Sequence, residues 1–389
     1  MAKLKFSYLC PYCFERSKIN NVKFRCTNEY CTPEEDSVVS KRTMSRKIMK
    51  KAFRLYKKPF LRMPKKGRCP SCQAISTNRI CPRCHSQLPN DIDKVDSMII
   101  AVIGAKNAGK SHYITVLIQE LKNQLSADFN FAIRALTDKT SDRYDKYFRR
   151  PVYEENRVID ATQTALVDRS VMEPLIYELK FHRSVTNLKT KKIVDLIFFD
   201  TAGEDLNDED IMSTVNKYIY TASGIIFLLD PLQLPEVRRS LPPGTPLPDI
   251  NTESETIISR TINLIRRANK IPPGAQIDIP VAVSFTKIDA LEPILAPASA
   301  LRFPSRHREN GRIIPSDFDS VSMEMESVLR DWQGNDFAQQ LAVHFKHYSY
   351  FGLSALGCNP HGTKVIKEVR PFRVEDPFLW LLWKAGVIR

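Results

Sequence analysis

One stretch of the sequence has the composition of a phosphate-binding loop. Residues 104–111 read GAKNAGKS, which matches the pattern G-x4-G-K-[ST]. The apolar run 97–103 before the loop has the length of a strand, and residues 112–123 after it carry apolar side chains at helical spacing. This order allows backbone N–H groups of the loop and of the helix start to bind phosphates. The predicted nucleotide contacts are made by Gly104, Asn107, Ala108, Gly109, Lys110, Ser111 and His112.

Charged and hydroxyl side chains at this loop and after a second strand predict phosphoryl transfer. Lys110 should reach the β- and γ-phosphates, and Ser111 should bind Mg²⁺. A second apolar run, 193–199, ends in the sequence DTAGE. Asp200 can hold Mg²⁺ through water, and the Gly203 N–H can bind a γ-phosphate and be released after hydrolysis. The sequence therefore predicts a catalytic set of Lys110, Asp200, Gly203, Glu204 and Asn107.

Two further motifs follow strand-like runs nearer the C-terminus. The run 279–285 leads into TKID at 286–289, and the run 348–353 precedes SAL at 354–356. In sequence order the four motifs resemble those of the translation-factor-related (TRAFAC) class of P-loop GTPases. That resemblance implies an α/β three-layer sandwich with a mostly parallel sheet, and it implies GTP and GDP as ligands.

The resemblance also implies roles for the residues that contact guanine. Asp289 would accept hydrogen bonds from guanine N1 and N2, Lys287 would lie along the base, and the Ala355 N–H would meet O6. Thr286 stands where the family more commonly has Asn. The predicted base-side contacts are Thr286, Lys287, Asp289, Ser354, Ala355 and Leu356.

The sequence departs from the small-GTPase pattern at the switch regions. Glu204 stands where Ras-like proteins have Gln, so its role in positioning water is open. Ser111 and Asp200 are separated by 88 residues, a long first switch region. Thr164 or Thr162, ahead of the strand-like stretch 174–181, is the candidate Mg²⁺ threonine, and a plain polar loop is the alternative. Asn107 resembles the Asn of potassium-activated GTPases, which implies a K⁺ ion; an Asn tolerated in a tight loop is the alternative.

Cysteines dominate the first 90 residues. Eight of the nine fall in four close pairs, and knuckles of this spacing are typical of zinc sites with four thiolates. We expect two zinc ribbons with two Zn²⁺ ions, grouped in sequence order, while a crossed arrangement of the first knuckle with the third stays open. The predicted ligands are Cys10, Cys13, Cys26 and Cys31 for one ion and Cys69, Cys72, Cys81 and Cys84 for the other.

A basic segment lies between the two predicted ribbons. Residues 37–68 contain 13 Lys and Arg and no acidic residue, against a net charge of +14 for the whole chain. Met44, Ile48, Ala52 and Leu55 have helical spacing, which predicts a basic amphipathic helix. Such a helix binds nucleic acid, an acidic protein or a membrane surface, or it simply packs on its own ribbons as a solvated face. The rest of the chain is nearly neutral, which argues against a uniformly basic nucleic-acid-binding protein.

The composition sets the domain organisation. The 389 residues, 43% hydrophobic and 26% charged, exclude wholesale disorder and a fibrous chain. We expect the zinc ribbons in 1–90 and a GTPase domain in 97–389, with proline-rich surface insertions at 231–248 and 293–315. A short apolar helix should close the chain, with Trp380 and Trp383 packed on the sheet. No run reaches the ~20 apolar residues of a membrane span, and no secretion segment precedes Cys10, so we expect a cytoplasmic protein.

The ribbons, the sequence DTAGED and the closing VEDPFLWLL resemble bacterial double-GTPase-type domains, which are associated with conflict and antiphage defence systems. This resemblance implies partner proteins and a nucleotide-dependent dimer. The first hypothesis is a regulatory GTPase that is slow without its partner. The alternatives are a nucleic-acid-binding module gated by GTP and a nucleotide-binding scaffold without hydrolysis.

Overall fold

The computed structural model describes the backbone of residues 6–43, 45–55, 63–93, 96–160, 174–185, 188–198, 217–250, 253–309, 311–333, 336–358, 360 and 366–389. The predictions for Thr162, Thr164, Asp200, Gly203 and Glu204 lie outside these residues. The chain divides into two compact units. The first holds Met1–Ser97 and Ile193–Ile197, and the second holds Met98–Lys192 and Phe198–Arg389.

The first unit consists of very short strands around the cysteines. Its elements are β1 (Ser7–Leu9), β2 (Arg16–Lys18), β3 (Lys23–Arg25), β4 (Pro33–Glu35), α1 (Ser37–Thr43), β5 (Ile48–Lys50), β6 (Ala52–Arg54), β7 (Gly67–Arg68), β8 (Ile75–Ser76) and β9 (Arg79–Ile80). They pair as β1-β2, β4-β5, β7-β8 and β6-β3-β9. The core combines buried cysteines with Phe24, Phe53 and Ile19. A unit with so small an apolar core needs further stabilisation, which a metal can supply.

The predicted basic amphipathic helix is wrong beyond Thr43. Helix α1 ends there, Ile48 lies in β5 and Ala52 lies in β6, while Met44 lies outside the described residues. Both strands have antiparallel partners, β5 with β4 and β6 with β3. Buried Phe53 lies between the half-buried Ala52 and the exposed Arg54, a period of two. Pairing with neighbouring strands has overridden a helical spacing that only four residues supported.

The largest sheet of the chain has seven strands. These are β10 (Asp96–Gly104), β11 (Phe131–Ala135), β12 (Leu175–Val185), β13 (Leu188–Phe198), β14 (Gly224–Leu229), β15 (Val281–Phe285) and β16 (Tyr348–Gly352). The spatial order is β11-β12-β13-β10-β14-β15-β16. The β10-β14, β14-β15 and β15-β16 pairs are parallel, and the β11-β12 pair is antiparallel. Strands β14 and β15 are buried along their whole length, as expected for parallel strands covered on both faces.

Helices connect these strands and cover both faces of the sheet. They are α2 (Lys110–Lys122), α3 (Gln124–Asp128), α4 (Asp138–Tyr144), α5 (Arg150–Tyr153), α6 (Pro235–Ser240), α7 (Glu253–Ala268), α8 (Pro315–Gln333), α9 (Asp336–His344) and α10 (Asp376–Lys384). On β14, the Phe227 ring contacts Phe337 of α9, whereas a Cβ on Gly224 would meet Leu381 of α10. Positions of odd and even number on one strand point to opposite faces. Helices α9 and α10 therefore lie on opposite faces, and the predicted α/β fold with a mostly parallel sheet is confirmed.

The C-terminal helix packs as predicted at Trp380, which contacts the sheet, whereas Trp383 contacts helix α8 instead. Pro377 lies in the first turn of α10, where a missing N–H costs nothing. Trp380 is 3% exposed and its ring contacts Phe351 of β16, while the partly buried Trp383 contacts Phe318. No helix among the described residues combines the length and the apolar content that a bilayer crossing demands.

Candidate functional site

Four adjacent parallel strands end at the loops of the candidate site. The predicted loops 104–111, 286–289 and 354–356 follow β10, β15 and β16, and Asp230, which was not predicted, follows β14. Because the carboxyl ends of parallel strands meet at one edge of a sheet, these loops lie at the same edge. Ligands of open α/β sheets bind in the crevice outside this edge. The candidate site is therefore the carboxyl edge of β10, β14, β15 and β16.

The backbone of the loop 104–111 requires small residues and left-handed turns. A Cβ on Gly104 would lie 2.6 Å from the Leu228 carbonyl oxygen of β14, too close for any other residue. Asn107 and Gly109 have φ values of 63° and 86°, in the left-handed region. Asn is one of the few side chains tolerated there. Helix α2 then begins, with the Tyr113 N–H donating to the Gly109 carbonyl oxygen at 2.8 Å.

Lys110 is held inside this loop. Its Nζ donates hydrogen bonds to the carbonyl oxygens of Gly104 and Ala105, both at 2.9 Å, and the residue is only 8% exposed. Ser111 lies one residue further into the first turn of α2, and its carbonyl oxygen accepts a hydrogen bond from Thr115 Oγ1. The loop thus places a cation and the N-terminal amides of a helix together, which suits a polyphosphate.

His112 has a side-chain contact that sequence reasoning did not predict. Its Nε2 accepts a hydrogen bond from the Ile159 N–H at 3.1 Å. The pKa of His112 is lowered to about 4, mainly by burial and to a smaller extent by the charge of Lys287. The imidazole is therefore neutral at physiological pH, and it lies close enough to Lys287 to be affected by that charge. Residue spacing alone gave no signal for this link between the loop 104–111 and residue 159.

Asp230 is the other residue that sequence reasoning missed. Its Oδ2 lies 2.6 Å from Lys287 Nζ, and its Oδ1 accepts a hydrogen bond from the Leu232 N–H at 3.0 Å. Lys287 has a φ of 55°, and the Thr286 N–H and hydroxyl both donate to the Leu229 carbonyl oxygen. Asp230 thus fixes the lysine of the motif 286–289. An aspartate directly after a buried strand was the available signal.

The second base-side loop is joined to the first through the backbone. The Leu353 N–H donates to the Phe285 carbonyl oxygen at 2.8 Å, and the Ile288 N–H donates to the Leu353 carbonyl oxygen at 3.2 Å. Ser354 Oγ accepts a hydrogen bond from the Gly357 N–H at 2.9 Å, and Ser354 pairs with Phe372. Asp289 lies in the turn Ile288–Ile294 beside this loop. The motif 354–356 is therefore held rigidly against the motif 286–289.

The eight predicted zinc ligands form two compact clusters. One contains Cys10, Cys13, Cys81 and Cys84, and the other contains Cys26, Cys31, Cys69 and Cys72. Within each cluster the ligand atoms all lie within 4.8 Å of one another. Four of the sulfur–sulfur distances are 3.7, 3.8, 3.5 and 4.0 Å. Four thiolates at ~2.3 Å from one zinc ion would lie about 3.8 Å apart. Both clusters therefore fit a tetrahedral ion of the size of zinc.

The sequential grouping of the cysteines is wrong, and so is the crossed arrangement of the first knuckle with the third. The first knuckle meets the fourth, and the second meets the third. The reason is the antiparallel pairing of β3 with β9, which matches Lys23 with Ile80. This pairing puts Cys81, just after β9, beside the start of β3 and the β1-β2 hairpin. It puts Cys26, just after β3, beside the β7-β8 hairpin that carries the third knuckle.

Three knuckles share one backbone conformation. The residue after the second cysteine, Phe14, Gln73 or His85, has a φ between 55° and 61° and donates its N–H to the carbonyl oxygen of the first cysteine. His85 Nδ1 also lies 2.8 Å from the Asp36 carboxylate, which Arg25 contacts as well. These contacts lock the cysteine turns in position.

The chain resembles proteins that differ in sequence identity to it and in how much of their own length it covers. A putative ESX-1 scaffolding and assembly protein, SaeC, of Mycolicibacterium smegmatis is 26% identical over 329 residues, which are 79% of this chain and 80% of that protein. The GTP-bound Ski7 GTPase-like domain of S. cerevisiae is 14% identical with a TM-score of 0.30, over 76% of this chain. A GDP complex of a GTP-binding protein from Sulfolobus solfataricus is 11% identical with a TM-score of 0.25, over 75% of this chain. The chain spans about half the length of these solved chains, 51% and 53%.

The family match covers the whole candidate site. Residues 98–356 match the Double-GTPase 2 family, which is more than half of the 389 residues. The matched range begins in β10 and ends at Leu356, so it includes the loop 104–111 and both base-side motifs. The chain belongs to the Double-GTPase 2 family.

Proposed function

We propose that this protein is a GTP-binding and GTP-hydrolysing switch that acts with partner proteins. The observation that carries the proposal is the arrangement of the loop 104–111 and the motifs 286–289 and 354–356 at one edge of the sheet. A phosphate-binding loop and two base-side loops at that edge are the parts that a nucleoside triphosphate requires. The family to which the chain belongs supports the same assignment.

In the proposed reaction, the chain positions GTP and stabilises the charge that develops on its phosphates. Lys110 and the amides of the loop hold the β- and γ-phosphates, and Ser111 with Asp200 holds Mg²⁺. The metal neutralises charge on the phosphate oxygens when it is bound. Gly203 and Glu204 are proposed to respond to the γ-phosphate, with Thr164 or Thr162 covering the metal.

Selection of guanine over adenine rests on Asp289. One carboxylate can accept hydrogen bonds from both N1–H and the N2 amino group of guanine, whereas adenine offers neither donor. A site built around a substrate donor rejects the analogue that lacks it strongly. We expect GTP to bind at least ~100-fold more tightly than ATP, about 2.7 kcal/mol, in line with the cost of an unsatisfied charged group.

Competition titrations test this assignment. Asp289→Asn should weaken GTP binding and favour xanthosine triphosphate, whose C2 oxygen can accept from the new amide. Asp278→Asn is a matched control, because the Asp278 side chain is 82% exposed and lies before β15. Lys110→Ala should lose affinity for every nucleotide. If ATP competes as well as GTP on the unmodified chain, the GTPase assignment is wrong.

The two cysteine clusters are proposed to bind one Zn²⁺ each. Neutral thiols packed this closely would gain little, whereas a metal ion bound to four thiolates supplies folding energy to a small unit. Zinc here is structural, since four sulfur ligands leave no open position for catalysis.

The partner proteins are proposed to be assembly partners. The similar mycobacterial protein is described as a putative scaffolding and assembly protein, which favours assembly over defence. A role in antiphage defence and a nucleotide-dependent dimer stay predictions of the family resemblance. Nucleic-acid binding through residues 37–68 also stays a prediction, and a steep fall of RNA affinity with salt would support it.

A further inference from the structure

Residues 156–159, called the strap here, lie between the two halves of the candidate site. The strap follows helix α5 and begins at Asn156, whose φ of 51° turns the chain sharply. The Arg157 N–H donates to the Pro151 carbonyl oxygen at 2.8 Å, which fixes this turn on α5. From there the strap has one set of contacts on the base side of the site and another on the phosphate side.

On the base side, the strap packs against the chain that continues from the motif 354–356. The Ile366 N–H donates to the Asn156 carbonyl oxygen at 2.7 Å. Val158 and Ile159 pack against a small apolar cluster of Val152, Leu356 and Ile366. Because Leu356 belongs to the base-side motif itself, the strap and the motif share one core.

On the phosphate side, a hydrogen bond joins the strap to helix α2, next to the loop 104–111. The Ile159 N–H donates to His112 Nε2 at 3.1 Å, and His112 directly follows Ser111 in the first turn of α2. The acceptor must be an unprotonated ring nitrogen.

This geometry indicates a role in nucleotide retention. In a nucleoside triphosphate, the ribose is the part that joins the base to the phosphates. The strap is bound to the base-side motif at one end and to the phosphate-side helix at the other. It therefore spans the same gap as the ribose. We propose that the strap closes the ribose side of the nucleotide site, and that the His112 imidazole is the positioning residue that holds it closed. The proposal rests on the proposed function, GTP binding at this edge.

Release of fluorescent GDP and GTP analogues from the full chain tests the proposal. His112→Ala removes the acceptor, and the loss of one partly buried hydrogen bond predicts release about 5- to 10-fold faster. His112→Gln restores an acceptor at a similar reach, so release should stay within about 2-fold of the unmodified chain. His347→Ala is the matched control, because that side chain is 41% exposed and lies just before β16, outside the strap. A purely structural histidine would not be rescued by glutamine.

A second substitution removes the donor instead of the acceptor. Ile159→Pro eliminates the N–H, so it should speed release as His112→Ala does, and the double variant should be no faster than either single variant. Three outcomes would each overturn the proposal. Release could be unchanged in His112→Ala, or it could be accelerated equally in His112→Ala and His112→Gln. The third outcome is that the effects of His112→Ala and Ile159→Pro are fully additive. If the unmodified chain binds neither analogue, the proposed function fails instead, which is a distinct outcome.

Discussion

The stability of the second unit should depend strongly on Arg373, whose side chain is 1% exposed. All five of its N–H donors have acceptors. Nε donates to the Phe303 carbonyl oxygen, the first terminal nitrogen contacts the carboxylates of Asp317 and Asp376, and the second contacts Asp317 and the Pro304 carbonyl oxygen. The guanidinium thus joins the loop before α8, helix α8 and the start of α10.

Replacement of Arg373 by Met keeps the apolar stem and removes the charge. Two buried carboxylates then lose their cation, and Asp317 and Asp376 are 8% and 1% exposed at the side chain. Removing one partner of a buried ion pair costs about 3–5 kcal/mol. With a urea dependence of about 3 kcal/mol per molar for a unit of this size, the unfolding midpoint should fall by about 1–1.7 M.

The loss should also depend on pH. Burial raises the pKa of Asp317, but the hydrogen bonds and charge of Arg373 outweigh it, so the net pKa is lowered. Its contribution to stability is therefore present above the unfolded pKa of about 3.9 and is lost as pH falls through the folded pKa. In Arg373→Met the same burial is opposed only by the charge of His307 and by a backbone hydrogen bond from Arg306, so the pKa of Asp317 rises and the variant's penalty is relieved as pH falls. The difference between the two proteins should be larger at pH 7.5 than at pH 5.

Urea denaturation followed by tryptophan fluorescence measures both effects. The three tryptophans, Trp332, Trp380 and Trp383, all lie in the second unit, so the signal reports on that unit alone. Arg370→Met is the matched control, since Arg370 pairs with Glu368 on the surface at side-chain exposures of 76% and 63%. Such a pair contributes ~0–1 kcal/mol. A loss in Arg373→Met as small as in the control, or equal at both pH values, would refute the reasoning.

Two more predictions concern the ions. Metal analysis of freshly purified protein should find two Zn²⁺ per chain; Cys13→Ser and Cys81→Ser should weaken binding of the same ion, and Cys26→Ser should weaken binding of the other. If Cys13→Ser lost one ion and Cys81→Ser lost the other, the pairing of the first knuckle with the fourth would be contradicted. For Asn107, GTP turnover should be faster in K⁺ than in Na⁺ buffer, and Asn107→Ala should remove that difference. Equal turnover in both buffers, with and without a partner, would end the potassium role.

The strands and the phosphate loop were predictable because their signals are local. The strand-like runs 97–103 and 279–285 correspond to β10 (Asp96–Gly104) and β15 (Val281–Phe285). The apolar spacing in 112–123 predicted the buried face of α2, where Ile114, Leu117 and Leu121 are fully buried. An apolar run long enough for a strand, or a period of 3.6 residues over three turns, is a property of the sequence itself.

The links between loops were not predictable, because they join residues that are distant in the chain. Asp230 is 57 residues from its partner Lys287, and His112 is 47 residues from Ile159. Neither contact leaves a spacing pattern that a single sequence can reveal. In the basic segment, by contrast, a local pattern was present but gave the wrong prediction. The helical spacing of four residues was overridden by pairing with strands that only the fold brings close.

The sequence by itself determined which residues are the candidates for the chemistry: the loop 104–111, the base-side motifs and the eight cysteines in four knuckles. Each of these is a local pattern in which the backbone turn and the side chains lie within a few residues. The tertiary structure decided which knuckles meet. Antiparallel pairing of β3 with β9 reverses the order in which their ends approach, so the first knuckle lies beside the fourth and the second beside the third. The direction of strand pairing is a long-range property, and knuckle spacing carries no information about it.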